Sequence, residues 1–188
     1  MPQMPKILGI DPGTRVLGFA LIGATKLQPR SPRDWSVLDV GVMKTSANLS
    51  MPLRLGEIHN ALFDLIGELR PTIVAIEKAF HGVNSSTAIK LGEARGSIIA
   101  AVGRHSLPMT EITPAQVKRL VAGHGAATKE QVYQALQALL GFNKGRLPHD
   151  ASDALAIAFV AGLTALSPIT QLPKRRAIAG SQSSRPEY

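Results

Sequence analysis

The chain has no cysteine among its 188 residues, which excludes disulfide bonds, thiolate catalysis and Cys-ligated zinc. Aromatic residues make up only 4%, too few for rows of stacked rings to supply most of the affinity for a nucleic acid. Long apolar runs are missing as well. The most apolar stretch, Ala154 to Leu166, is 13 residues long and follows Asp150 and Asp153. A membrane-crossing helix needs about 20 such residues, so this one is expected to be a buried core helix. Met1 to Ile10, interrupted by Pro2 and Pro5, lacks the basic region, apolar run and cleavage site of a secretory signal. Acids are scarce too, with 13 Asp and Glu against 21 Lys and Arg, a net charge of +8. That balance favours a polyanionic partner over a neutral one, with an anionic membrane surface as the alternative. With 45% hydrophobic residues the chain can bury a substantial core. A soluble cytoplasmic protein is expected.

Lys6 to Ile10 is a short apolar run that ends at Asp11-Pro12-Gly13, a strand entering a turn. Val16 to Ile22 and Trp35 to Met43 read as two further strands, separated by an exposed loop, Lys26 to Arg33. These three predict an antiparallel meander. After Pro52, the spacing of Leu55, Ile58, Leu62, Leu65, Ile66 and Leu69 predicts an amphipathic helix. Thr72 to Ile76 is apolar, rich in β-branched residues and closed by Glu77, as in a buried parallel strand. A helix over Asn84 to Arg104 and a strand over Met109 to Ile112 follow. Two Thr-x-x-Gln capping boxes, from Thr113 and Thr128, start two more helices on either side of Gly123-His124-Gly125. A last helix starts near Asp150. This order predicts an α/β fold with a five-stranded mixed sheet flanked by helices. It makes one domain over residues 1–167 and a flexible basic tail over 168–188, where Lys174, Arg175, Arg176 and Arg185 face Glu187 alone.

The few acids stand at informative places. Asp11 closes the first strand and Glu77 the fourth, while Asp150 and Asp153 share one side of the last helix. If the first and fourth strands are parallel neighbours, Asp11 and Glu77 meet at the carboxyl edge of the sheet, where such sheets bind ligands. Four carboxylates gathered there require cations, and hard oxygen ligands select Mg²⁺ or Mn²⁺. Two such ions about 4 Å apart suit phosphoryl displacement by water. Each acid also has a purely structural reading: Asp11 as a turn former, Asp150 as a helix cap with Asp153 favoured by the dipole, and Glu77 as the partner of Lys78 or another base. The four on this element order favour the metal reading.

Four blocks closely resemble the RuvC family of Holliday-junction resolvases. They are Ile7-Leu8-Gly9-Ile10-Asp11-Pro12-Gly13-Thr14-Arg15-Val16-Leu17-Gly18-Phe19, Ala75-Ile76-Glu77-Lys78-Ala79-Phe80, Lys90-Leu91-Gly92-Glu93-Ala94-Arg95-Gly96 and His149-Asp150-Ala151-Ser152-Asp153-Ala154-Leu155-Ala156. The resemblance spans Lys6 to Leu166. It implies a ribonuclease-H-like fold, a homodimer, and an endodeoxyribonuclease that makes paired, Mg²⁺-dependent nicks in four-way DNA junctions during recombination and repair. Two Mg²⁺ per subunit are expected, with Mn²⁺ able to substitute, and products with 5′-phosphate and 3′-hydroxyl ends. The family's metal-binding carboxylates match Asp11, Glu77, Asp150 and Asp153. Its junction-stacking aromatic matches Phe80, and its basic DNA-face residues match Lys118 and Lys129. Some members carry His at the third acidic position, and here His149 directly precedes Asp150. The resemblance also implies branch-migration proteins as partners, although no segment marks a surface for them.

Arg104 to Arg146 holds six basic residues, Arg104, Lys118, Arg119, Lys129, Lys144 and Arg146, against Glu111 and Glu130. Lys118 and Lys129 are the expected phosphate contacts, near helix N-termini that favour anions. The bland alternative is a solvated helical surface. Phe80, in a polar loop, could equally fold onto the core. Ala88, Gly92, Gly96 and Ala100 recur every four residues, either to pack on the sheet or to meet a second copy across a two-fold axis. Two other functions compete. A sugar-kinase or chaperone-type ATPase also has an Asp-x-Gly turn after its first strand, but it needs two lobes, and no Walker-type loop is present. A non-catalytic DNA-binding module should have lost one or more of the acids. Setting the four acids aside leaves 21 basic residues against nine acidic ones, a surface of +12 around an acidic pocket. Such a surface fits DNA.

Overall fold

Two apolar strands buried on both faces set the frame of the structure. The computed structural model describes residues 3–46, 48–78, 85–142 and 145–165. Its strands are β1 (Lys6–Asp11), β2 (Val16–Ala24), β3 (Trp35–Lys44), β4 (Ile73–Glu77) and β5 (Met109–Ile112). They form one sheet in the order β3-β2-β1-β4-β5. The meander β1-β2-β3 is antiparallel, whereas β4 runs parallel to both β1 and β5. The mixed five-stranded sheet and the parallel β1–β4 pair match the expectation from sequence.

Five helices cover the sheet: α1 (Met51–Leu69), α2 (Ser85–Arg104), α3 (Pro114–Ala122), α4 (Lys129–Leu140) and α5 (His149–Ala165). Strand alternation assigns the two faces. Leu8, Ile10, Val74 and Ile76 pack with Ile58, Leu62, Ile66, Ala94 and Ile98 under α1 and α2. Ile7, Ala20, Ile22 and Ala75 pack with Leu155, Ile157, Phe159 and Leu136 under α5 and α4. Residues 7, 9 and 11 therefore face α5, as do 73, 75 and 77. That parity sends Asp11 and Glu77 to the same side. α5 is buried along most of its length, as its apolar composition predicts. No helix among the described residues is long and apolar enough to cross a membrane.

Two details add to the sequence expectation, and a third removes one of two alternatives it left open. The segment Lys26 to Arg33 is largely exposed, as expected, but it runs into a 3-10 turn over Pro32–Asp34. Asp34 there is buried; its Oδ2 accepts the N–H groups of Arg30 and Ser31 at 2.9 and 3.1 Å, and Lys26 Nζ stands 2.7 Å from Oδ1. α1 begins at Met51 and takes Pro52 into its first turn, where a proline costs no hydrogen bond. The small-residue stripe of α2 does not pack on the sheet. Ala94, Ile98, Ala101 and Val102 do so, and Ala88, Gly92, Gly96 and Ala100 are exposed. The tail over 168–188 lies outside the described residues.

Candidate active site

Asp11 and Glu77 stand one step beyond Ile10 and Ile76, the last paired residues of the parallel β1–β4 ladder. Both side chains point toward α5, whose first turn carries Asp150, with Asp153 one turn on. The helix reaches the sheet closely because glycines lie beneath it. A Cβ on Gly18, the partner of Asp11 in β2, would fall 1.9 Å from the Asp150 carbonyl oxygen. A Cβ on Gly9 would fall 2.2 Å from the Ala154 carbonyl oxygen and 2.6 Å from the Ala158 nitrogen. Alanines on the helix, Ala151, Ala154 and Ala158, complete the close approach. Gly9 and Gly18 are site-building residues that the sequence reading passed over, although a glycine inside an apolar strand is itself a sign of close backbone approach.

All four acids are half-buried. Burial, followed by the charges of Glu77, Asp153 and Asp150, raises the Asp11 carboxyl from 3.8 to about 7. Burial and Asp153 raise Glu77, while Lys129 and Arg95 act against them. Asp11 thus feels the charge of each of the other three carboxylates, and Glu77 that of Asp153. Lys129, the first residue of α4, reaches into this group, with Nζ 2.5 Å from Asp153 Oδ2. That bond and its neighbours hold the Lys129 ammonium above its ordinary value. Among the described residues no group of three or more His, Asp or Glu side chains is arranged to hold a metal ion. The donor set is nonetheless of the right kind: hard oxygens, mutually repelling, with one protein cation already drawn among them.

Lys118 and Lys129 line an open groove with Glu77, Val117 and Asp153. Each helix is set by its predicted capping box. Thr113 Oγ1 accepts Gln116 N–H at 3.1 Å, and Thr128 Oγ1 accepts Gln131 N–H at 3.2 Å. Because the second box orients Lys129, Thr128→Ala should cost about 1 kcal/mol of stability, measurable by urea unfolding. The six-residue basic cluster divides. Arg104 ends α2 and stacks on Phe63, 4.2 Å from the ring centroid, about 30 Å along the helix from Ser85. Arg146 pairs with Glu130 at 3.7 Å. Exposed His149 opens α5 beside Lys129, Tyr133 and Asp153, whereas Asp150 is one of the carboxylates that act on Asp11, after Glu77 and Asp153. Phe80 and Lys144 lie outside the described residues. Arg95 was not singled out from sequence, yet its Nη1 donates to the Glu77 carbonyl at 2.5 Å and its Nη2 pairs with Glu111 Oε1.

A sequence profile described as "Crossover junction endodeoxyribonuclease RuvC" matches residues 7–161. A protein of that name from Moorella thermoacetica is 42% identical over 152 residues, covering 81% of this chain and 87% of its own. One from Alkaliphilus metalliredigens is 40% identical over 152 residues, covering 81% and 89%. Among solved structures, T. thermophilus RuvC in complex with Holliday junction substrate superposes with a TM-score of 0.77 at 31% identity, covering 86% of this chain and 95% of that one. The yeast mitochondrial Holliday junction resolvase superposes at 0.60 with 12% identity, covering 86% and 81%, a likeness of fold alone.

Proposed function

The chain belongs to the RuvC family of crossover junction endodeoxyribonucleases, and from that premise we propose that it resolves four-way DNA junctions by metal-dependent phosphodiester hydrolysis. The observation that carries this reading is the convergence of Asp11 and Glu77, from adjacent parallel strands, under Asp150 and Asp153 of α5. Those four are the groups that would hold two Mg²⁺, or Mn²⁺ in their place. When bound, the ions supply activation of a water and stabilisation of the leaving oxygen in an in-line displacement. The displacement would join a water oxygen to phosphorus and break the bond to the 3′ oxygen, which would take up a proton, giving 5′-phosphate and 3′-hydroxyl ends.

The chain's own side chains do the rest. Lys118 stands at the groove beside Glu77 and Asp153 and takes a backbone phosphate. Lys129 exchanges its Asp153 partner for a phosphate oxygen as cations enter, so that the site never carries four uncompensated acids. Phe80 is assigned by family resemblance to stacking at the junction. Phosphate contacts orient the DNA without reading its sequence. Lys118→Ala should therefore weaken junction binding equally across sequences and lower the slope of log affinity against log salt by about one, as measured by fluorescence anisotropy. An absent cysteine and a DNA substrate fit a cytoplasmic location.

Paired incision needs two sites, and the exposed face of α2 fits a homodimer contact. Ala88, Gly92, Gly96 and Ala100 leave that face shallow, and Ile89 and Ile99 are 63% and 37% exposed on the helix. A Cβ at Gly92 or Gly96 would meet nothing within 4 Å in its own chain. Gly96→Glu should leave the fold intact and shift the protein from dimer to monomer in sedimentation equilibrium. The decisive assay for the whole reading compares four-way junction, flap and linear duplex DNA in Mg²⁺. Preference for the junction supports it. DNA binding without Mg²⁺-dependent cutting of any branched substrate would leave only a binding module.

A further inference from the structure

β4 reaches the site with one hydrogen bond that its neighbour cannot supply. In a parallel ladder the N–H and C=O of one residue point to the same side, and sides alternate along the strand. The N–H groups of Val74 and Lys78 donate to Pro108 and Ile112 on the β5 side. Glu77 therefore turns its carbonyl toward β1. With Gly9 opposite Ala75 and Ile10 opposite Ile76, the next donor in register for that carbonyl is residue 12, which is proline and has no N–H. An unmet carbonyl here would leave the end of β4, and so the Glu77 side chain, poorly fixed.

We propose that Arg95 is a positioning residue for Glu77, its guanidinium replacing the ladder donor that Pro12 lacks. Arg95 Nη1 donates to the Glu77 carbonyl oxygen at 2.5 Å, and Nη2 holds Glu111 Oε1 on β5. Its side chain is only 12% exposed, against 43% for Glu111, so the arginine is committed to this place rather than to solvent. One planar group thus ties α2 to the ends of β4 and β5 together. Arginine suits the position because its fork serves two acceptors in one plane, which an ammonium on a flexible stem does not. Glu111 completes the arrangement by holding the fork from the other side.

The inference rests on the proposed nuclease activity, and the test separates the two. Arg95→Ala, Arg95→Lys and wild type are compared in single-turnover cleavage of a four-way junction in Mg²⁺, with junction affinity measured in Ca²⁺ and Mn²⁺ affinity measured without DNA. Arg95→Ala should cut about 10- to 100-fold more slowly, the scale of a catalytic group displaced by about 1 Å. Its junction affinity should be unchanged and its Mn²⁺ affinity weakened. Millimolar guanidinium chloride should restore part of its rate without accelerating wild type, and Arg95→Lys should recover less than guanidinium does. Wild-type cleavage with an equally fast Arg95→Ala variant would overturn the positioning role. So would a rate loss that parallels losses of thermal stability and junction binding and does not respond to guanidinium. If wild type itself fails to cut, the nuclease reading fails, and Mn²⁺ affinity alone then decides: equal binding by wild type and Arg95→Ala overturns the role of Arg95.

Discussion

Asp11→Asn should abolish junction cleavage while leaving junction binding intact. The expected loss is on the order of a thousandfold or more, at the upper end of what removing one preorganised electrostatic group from a catalytic site costs. Asp11 has this leverage because it lies at the centre of the acidic volume, where burial and all three other carboxylates act on it. The amide keeps the size and removes the charge. It cannot supply an anionic oxygen to a divalent ion, yet it relieves the repulsion within the site. Gel-shift titration in Ca²⁺ and single-turnover cutting in Mg²⁺ separate the two effects. Full cutting by the variant would sink the assignment.

The same residue sets a pH dependence whose sign can be worked out. Folding raises Asp11 from 3.8 to about 7, so between those values the folded chain keeps a proton that the unfolded chain has released. In EDTA, this contribution to stability is fully present below about pH 4 and is lost as pH rises through about 7. The span corresponds to about 4 kcal/mol. Asp11→Asn should flatten the difference between urea midpoints measured at pH 5 and pH 7.5. A divalent cation favours the ionised form, so added Mg²⁺ should stabilise wild type at pH 7.5 far more than at pH 5 and stabilise Asp11→Asn little at either. Cleavage should accordingly rise with pH through about 7.

The strands and helices were legible in the sequence because their signals are local. Alternation, β-branched runs and two capping boxes each lie within a few residues, and the sheet order follows once β1 and β4 are taken as parallel. The four acids were legible for a similar reason, since each marks the end or the start of an element. The exposed side of α2 was not, because spacing alone shows that residues share a face without showing what the face meets. Arg104 was counted with the DNA-facing cations on proximity in sequence, whereas α2 carries it to the other end of the sheet beside Phe63. Arg95 escaped notice because its task depends on a proline 83 positions earlier in the chain. Only the β1–β4 register makes that dependence visible.

Glycine at positions 9 and 18 should also be needed for full activity, for steric rather than chemical reasons. Gly18→Ala places a methyl group 1.9 Å from the Asp150 carbonyl oxygen, and Gly9→Ala places one 2.2 Å from that of Ala154. These neighbours are helix backbone, so no side-chain rotation relieves the clash. α5 must lift from the sheet, and its core contacts through Leu155 and Phe159 go with it. Overpacking of this kind costs about 1–3 kcal/mol, read as a fall in the urea midpoint. The lift also carries Asp150 and Asp153 away from Asp11 and Glu77, and a displacement of about 1 Å at a catalytic group can cost about a hundredfold in rate. Gly18→Ala should lose more activity than Gly9→Ala, because it pushes on the turn that bears Asp150, while Gly9 lies under the next two turns. Gly56→Ala is the control. That glycine is an exposed position of α1 with nothing within 4 Å of the added carbon, so the same substitution should stabilise the protein by about 0.5–1 kcal/mol and leave cutting unchanged. Equal behaviour of the three variants would mean that α5 does not need its glycine bed, and that the acids reach one another in some other way.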